Sequence, residues 1–101
     1  MRIGTKKVRE SAVERALVLA TMARGGRAIK LVPMYEANLL DRLILLPGAH
    51  AGFVEVKALG EKLRLGQARE AARLRALGFP VVKLDAIEDI EAALREIETW
   101  T

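Results

Sequence analysis

The chain has 101 residues, of which 51% are hydrophobic and only 4% aromatic, a composition typical of one globular domain with an aliphatic core. Lysine and arginine number 17 against 13 acidic residues, and the net charge of +4 weakly favours a polyanionic partner. The absence of cysteine excludes disulfides, cysteine-ligated zinc and thiol nucleophiles.

The chain shows no membrane or export signal. Residues 1–7 lack the apolar segment of a signal peptide, and no run approaches the roughly 20 apolar residues of a membrane span. We therefore expect a cytoplasmic protein with no membrane partner.

The first helical pattern covers residues 9–23, and the glycine pair at 25–26 is placed to end it. Its apolar stripe consists of Val13, Ala16, Leu17, Ala20 and Ala23. Two starts fit the sequence: Ser11 with Glu14 forms a capping-box pattern, whereas Thr5 could cap an earlier start.

Three short apolar runs predict strands at residues 27–32, 43–46 and 52–58, and residues 33–40 predict a loop. Residues 47–52 are rich in turn formers, so the second and third strands should form an antiparallel hairpin. Their nearly continuous apolar character predicts strands that are covered on both faces.

The second half of the chain predicts a crossover unit. A helix over residues 65–77 ends at Gly78 and leads to a strand at 80–84, which should run parallel to the third strand. Asp85 and Glu88 fit a capping box for the last helix. The apolar stripe of that helix is Ile87, Ile90, Leu94 and Ile97. The α/β order is therefore αβββαβα, a mixed four-stranded sheet flanked by helices in a single domain.

The hairpin brings together the residues whose side chains could bind a metal or act in catalysis. Strand residues two apart share a face, so Glu55 and Lys57 emerge side by side, and the pairing carries Asp41 to the same end of the sheet. Two carboxylates can hold a hard cation such as Mg²⁺, with the Val56 carbonyl as a further ligand, and a lysine can stabilise charge on a phosphate. By spacing alone, however, Glu-x-Lys is usually a solvated charge pair.

Several motifs in order resemble the VRR-NUC family, a branch of the PD-(D/E)xK nuclease superfamily. The resemblance covers residues 10–94. It is carried by LDRLILLPG at 40–48, FVEVKA at 53–58, Gly60, Gln67 and LRALG at 74–78. It implies a restriction-endonuclease-like core and a Mg²⁺- or Mn²⁺-dependent deoxyribonuclease of a bacterial or phage-infected cell. The substrates it implies are structured or branched DNA such as Holliday junctions.

The resemblance also implies roles for individual residues. Asp41, Glu55 and the Val56 carbonyl would bind the metal. Lys57 would orient the attacking water and stabilise the transition state. Gln67, which heads the sheet-facing stripe of its helix, would position water or a neighbouring ligand, and the alternative is an ordinary first-turn polar residue. Glu10 matches a family glutamate that precedes the first helical run, and the alternative is a first-turn carboxylate stabilised by the helix dipole.

One segment departs from the family. Where relatives usually have Gly-x-Pro-Asp, this chain has Asn38-Leu39-Leu40-Asp41, so the loop that enters the site should follow a different path. Asparagine tolerates unusual backbone angles better than most residues.

Basic residues are candidates for contacts with DNA phosphates. The candidates are Lys30, Arg42, Lys62, Arg64, Arg69 and Arg73. A solvent-facing strand lysine is the alternative for Lys30, and Glu70 beside Arg69 and Arg73 equally suggests a solvated surface. A domain of this size offers little surface to a branched substrate, which favours a symmetric homodimer. The alternative functions are a non-catalytic DNA- or partner-binding module on the same fold, and an RNA-processing nuclease.

Overall fold

The structure is a computed structural model that describes residues 2–32, 34 and 38–100, with the backbone alone for residues 2–8. The elements are α1 (Arg2–Ala23), β1 (Arg27–Lys30), β2 (Arg42–Leu46), β3 (His50–Val56), α2 (Leu65–Ala76), β4 (Val81–Leu84), a 3₁₀ turn (Ile87–Asp89) and α3 (Ile90–Thr99). This is the predicted αβββαβα order. Among the described helices, none combines the length and the apolar character that a bilayer crossing needs.

The four strands form one mixed sheet in the order β1-β2-β3-β4. The predicted hairpin is confirmed, since β2 and β3 pair antiparallel with Leu43 opposite Phe53, and β1 adds antiparallel to β2. The predicted crossover is confirmed as well, because β4 runs parallel to β3. Both central strands therefore bring residues to the same end of the sheet, where β2 begins and β3 ends.

The hairpin turn is tighter than predicted. Only residues 47–49 lie outside the strands, and Leu46 already pairs with His50. Gly48 and Ala49 have φ of 89° and 62°, the left-handed backbone that joins antiparallel strands without splaying them. Strand β3 consequently begins two residues before the predicted start at residue 52.

The core consists of two clusters, one on each face of the sheet. Alternation along β3 directs Val54 and Val56 to the face covered by α1 and α3, and directs Phe53 to the face covered by α2. The buried residues of the first cluster are Val13, Leu17, Ile44, Leu46, Val54, Val56, Leu84, Ile90, Ala93, Leu94 and Ile97. The second cluster contains Leu40, Ala71 and Val81. Glu55, two residues after Phe53, therefore lies on the α2 side.

Both predicted capping boxes are wrong. Helix α1 continues back to Arg2, so Thr5 and Ser11 lie inside it and neither can be its cap. A 3₁₀ turn precedes α3, and the Asp85 carboxylate accepts a hydrogen bond from Gly60 N–H instead of capping a helix. The turn also directs Ile87 outwards, where it is 51% exposed, so Ile87 does not belong to the buried stripe of α3.

Candidate active site

Asp41 lies immediately before β2 and is held at three of its groups. Its carboxylate oxygen Oδ2 accepts a hydrogen bond from Val56 N–H at 2.8 Å, and its backbone N–H donates to Glu55 Oε1 at 3.0 Å. Its carbonyl oxygen accepts a hydrogen bond from Leu31 N–H at 3.0 Å. The hairpin thus places the carboxylates of Asp41 and Glu55 next to each other, as the strand pairing predicts.

Glu55 is the buried member of this pair, with 4% of its surface exposed. Its Oε2 atom accepts a hydrogen bond from Gln67 Nε2 at 2.8 Å and lies 3.2 Å from Lys57 Nζ. Burial raises the pKa of Glu55, and the negative charge of Asp41 raises it further, whereas Lys57 and Gln67 favour the ionised form. A cation bound between the two carboxylates would relieve both unfavourable effects.

Lys57 is the first residue after β3 and is only 9% exposed. Its backbone N–H donates to Leu84 O at 2.9 Å, which continues the parallel ladder by one residue and holds Lys57 at the strand end. The spacing of two residues puts its ammonium beside Glu55 on the α2 side of the sheet, as predicted.

Gln67 connects the first turn of α2 to the carboxylates. Its amide nitrogen donates to Glu55, while its Oε1 accepts a hydrogen bond from Arg64 N–H at 3.2 Å and so satisfies a donor at the helix start. Gln67 is 3% exposed, and its bond to Glu55 is buried, whereas the bond from Arg64 N–H is partly buried. One residue therefore fixes the helix start relative to β3.

The loop before Asp41 packs on the same helix start. A Cβ added to Gly66 would lie 2.2 Å from Asn38 Oδ1, so a larger residue here would displace the asparagine side chain from this position. Asn38 belongs to the segment that departs from the family pattern. Its side chain takes up the space over Gly66, and the loop still delivers Asp41 to the strand end.

These side chains surround a cavity of about 560 Å³ at the end of the sheet. All the residues predicted to be catalytic line it, together with Val56. The lining is Glu10, Ser11 and Glu14 from α1, Leu31, Leu39, Leu40 and Asp41 before β2, and Glu55, Val56, Lys57, Glu61, Arg64 and Gln67. Glu10 reaches the wall from within α1, which begins at Arg2, so the alternative prediction of a first-turn carboxylate is wrong.

The donor set fits a hard divalent cation. Val56 N–H points to Asp41, and because the N–H and C=O of a strand residue point to the same side, the Val56 carbonyl is directed to that side too. Two carboxylates and a carbonyl are the oxygen ligands that Mg²⁺ and Mn²⁺ prefer, with water or substrate completing the coordination. Within residues 9–32 and 38–100, no three His, Cys, Asp or Glu side chains gather closely enough to hold a metal.

The predicted DNA-contact residues fall into two groups. Lys30, Lys62, Arg64, Arg69 and Arg73 are exposed, and Arg64 stands at the cavity. Arg73 is also paired with Glu70 at 2.8 Å. Arg42 differs, because its guanidinium is directed inwards to Glu14 and to the Ala28 carbonyl.

Sequence reasoning missed two acidic residues of the cavity, Glu14 and Glu61. Glu14 lies one helical turn after Glu10, so the helical period alone could have placed both on the same wall. Glu61 belongs to the loop between β3 and α2, where no periodic signal exists.

A mixed four-stranded sheet in this order, with an acidic pair and a lysine where its central strands meet, defines a restriction-endonuclease-like α/β protein. A solved structure described as a VRR_NUC domain has the same fold, with a TM-score of 0.79 and 28% identity over 92% of this chain and 98% of that chain. A protein of Acyrthosiphon pisum secondary endosymbiont phage 1, named "Putative nuclease p44", is 42% identical over 87 residues, which are 86% of this chain and 92% of that protein. The chain belongs to the VRR-NUC family of nucleases, as its motifs predict. No protein-family model matches it.

Proposed function

We propose that this protein is a metal-dependent endonuclease that hydrolyses phosphodiester bonds in DNA. The observation that carries the proposal is the Asp41 and Glu55 carboxylate pair, with Lys57 Nζ 3.2 Å from Glu55, inside a cavity of about 560 Å³. Two neighbouring carboxylates, one of them buried, beside one ammonium suit a divalent cation and a phosphate more than a neutral ligand.

Each residue has a distinct role in this proposal. Asp41, Glu55 and the Val56 carbonyl would hold Mg²⁺ or Mn²⁺, which supplies Lewis-acid polarisation of the phosphoryl group and a water that ionises more readily. The Lys57 ammonium stabilises negative charge that develops on the phosphate during in-line attack. Gln67 keeps Glu55 in place through its amide, and Glu10 orients water from the α1 wall.

The substrate would be structured or branched DNA, such as a Holliday junction. Exposed Lys30, Lys62, Arg64 and Arg69 are available to phosphates on either side of the scissile bond, and Arg64 stands at the cavity itself. Because one domain of 101 residues covers little of a four-way junction, we propose that a symmetric homodimer supplies paired sites. Sedimentation of the free protein and of its junction complex tests the dimer.

The first experiment compares cleavage of labelled four-way, flap, duplex and single-stranded DNA, with Mg²⁺, Mn²⁺ or EDTA. Wild type should cut only with metal, and Asp41→Asn and Lys57→Met should each lower the cleavage rate by roughly 10²–10³-fold. Asp89→Asn, the same change as Asp41→Asn at an exposed position outside the cavity lining, is the matched control and should cut like wild type.

Two results would contradict the proposal. Tight DNA binding with no cleavage under any metal would identify a non-catalytic binding module. Preferential cleavage of RNA in a competition assay would identify an RNA-processing nuclease on the same core.

A further inference from the structure

Arg42 follows Asp41 directly, yet its side chain lies on the opposite face of the sheet. Its Nη2 atom is 3.0 Å from Glu14 Oε1, and its Nη1 atom donates to the Ala28 carbonyl at 3.2 Å. The side chain is 15% exposed, in contrast to the solvent-facing Arg64. A guanidinium held in this way has two of its donors committed inside the protein.

The contacts of Arg42 join three elements at the place where the cavity forms. Arg42 begins β2, Ala28 belongs to β1, and Glu14 belongs to α1. Glu14 lines the cavity together with Glu10, which lies one turn earlier on the same helix. The ion pair therefore links the helix wall of the cavity to the strand end that holds Asp41.

We propose that Arg42 is a positioning residue that acts through Glu14: it fixes the α1 turn carrying Glu10 against the strand end carrying Asp41, and it is not a phosphate contact. The inference rests on the proposed nuclease function. The planar guanidinium satisfies Glu14 and the Ala28 carbonyl at once, whereas a lysine ammonium on its flexible stem does not reproduce that fork. Neutral Gln at either position leaves the other charge half-buried without its counter-ion.

Two measurements separate positioning from phosphate binding. The first is the salt dependence of DNA affinity in EDTA, where a lost phosphate contact reduces the slope of log K against log salt by about 1. The second is the division of the kinetic effect between kcat and KM. The variants are Arg42→Gln, Arg42→Lys, Glu14→Gln and the double Gln variant, with Lys62→Gln as the control for a solvent-facing phosphate contact.

We expect Arg42→Gln and Glu14→Gln to keep the wild-type salt slope and to lower kcat by about tenfold to a hundredfold with little change in KM. The double variant should be no worse than either single variant, because both remove the same interaction. Arg42→Lys should recover only part of kcat. Lys62→Gln should reduce the slope by about 1 and raise KM, as the loss of a phosphate contact does.

The inference is overturned if Arg42→Gln reduces the salt slope by about 1 while Glu14→Gln leaves cleavage intact. It is also overturned if Arg42→Lys is fully active, or if the two Gln substitutions have additive effects. Failure of the nuclease proposal is recognised separately, since wild type would then cut nothing. In that case the salt slope and the additivity of the unfolding free energies still decide whether Arg42 and Glu14 act as a pair.

Discussion

Glu55 receives donors from three different parts of the chain. Asp41 N–H, the Gln67 amide and the Lys57 ammonium all approach its carboxylate, within 3.2 Å. These donors favour the ionised form, while burial and the Asp41 charge oppose it. The ionisation of Glu55 therefore depends on each of these neighbours.

Gln67 is the neighbour whose contribution can be isolated. Gln67→Ala removes a buried donor to Glu55, and we expect the free energy of unfolding to fall by about 1–3 kcal/mol. Gln67→Glu puts a second carboxylate within contact of Glu55 Oε2, so one carboxyl of the pair acquires a raised pKa in the folded state. Its destabilisation is therefore present at high pH and is relieved as the pH falls through that raised value.

Urea unfolding measures both effects in wild type, Gln67→Ala and Gln67→Glu. The two buffers, at pH 8 and pH 5, lie well above and near the range of carboxyl pKa values. The difference in the free energy of unfolding between Gln67→Glu and wild type should be smaller at the lower pH. The same difference at both pH values would mean that the new carboxylate turns away from Glu55.

At the scale of elements, the loop between β3 and α2 is fastened to β4. Gly60 N–H donates to Asp85 Oδ2 at 2.9 Å, and Lys83 Nζ donates to the Glu61 carbonyl at 2.9 Å while lying 3.2 Å from Asp85. The loop leaves the sheet at Lys57 and enters α2 near Gln67, so these contacts constrain the span between two site residues. The strand β4 contributes to the site through this loop.

Asp85 makes the strength of that attachment measurable. The Gly60 N–H, together with the Lys83 ammonium, holds the pKa of Asp85 below its usual range. A lowered pKa means that ionised Asp85 stabilises the fold above the pKa of the unfolded chain, about 3.9, and that this contribution is lost as the pH falls through the lowered folded value. Asp85→Asn should therefore lower the urea midpoint at pH 7.

The difference between Asp85→Asn and wild type should narrow as the pH approaches the lowered pKa, because wild-type Asp85 is then protonated as well. Asp85→Ala also removes the acceptor for Gly60 N–H and should be the less stable variant at every pH. Midpoints that differ equally at pH 7 and at acid pH would rule out ionisation of Asp85 as the cause.

At the scale of the whole molecule, the sheet separates two unequal layers. Helices α1 and α3 cover one face, which holds the larger cluster, and α2 covers the other face, whose cluster has three buried residues from the loop before β2, α2 and β4. The site lies where the layers meet at the sheet end. Arg24, after α1, pairs with Glu91 and Glu98 and ties the end of α1 to α3. Trp100 packs on the body by donating from Nε1 to the Gly78 carbonyl at 2.8 Å.

The larger layer should dominate stability. Leu17 is fully buried in the first cluster, whereas Leu19, two residues later on α1, is 60% exposed. Leu17→Ala should lower the free energy of unfolding by about 2–5 kcal/mol, through lost burial and the cavity that remains. Leu19→Ala, the same change on the same helix, should stay within about 0.5 kcal/mol of wild type. Similar losses in the two variants would contradict the assigned orientation of α1.

The sequence by itself determined the order of elements, the hairpin, the parallel fourth strand and the pairing of Glu55 with Lys57. Each of these follows from a local rule: alternation along a strand, a turn-forming segment, or the handedness of a crossover. The family resemblance added Gln67 and Glu10 to the cavity, where both are found.

Only the tertiary structure decided how far α1 extends, which group Asp85 bonds and where Arg42 points. The capping patterns at Ser11 and Asp85 did not become caps, because α1 runs back through Ser11 to Arg2 and Gly60 N–H donates to the Asp85 carboxylate. From its residue type alone Arg42 is predicted to be a surface phosphate contact. Its partners in the structure, Ala28 and Glu14, are 14 and 28 residues away along the chain. Such partners meet only after the sheet and α1 have assembled, because long-range contacts have no local signal in the chain.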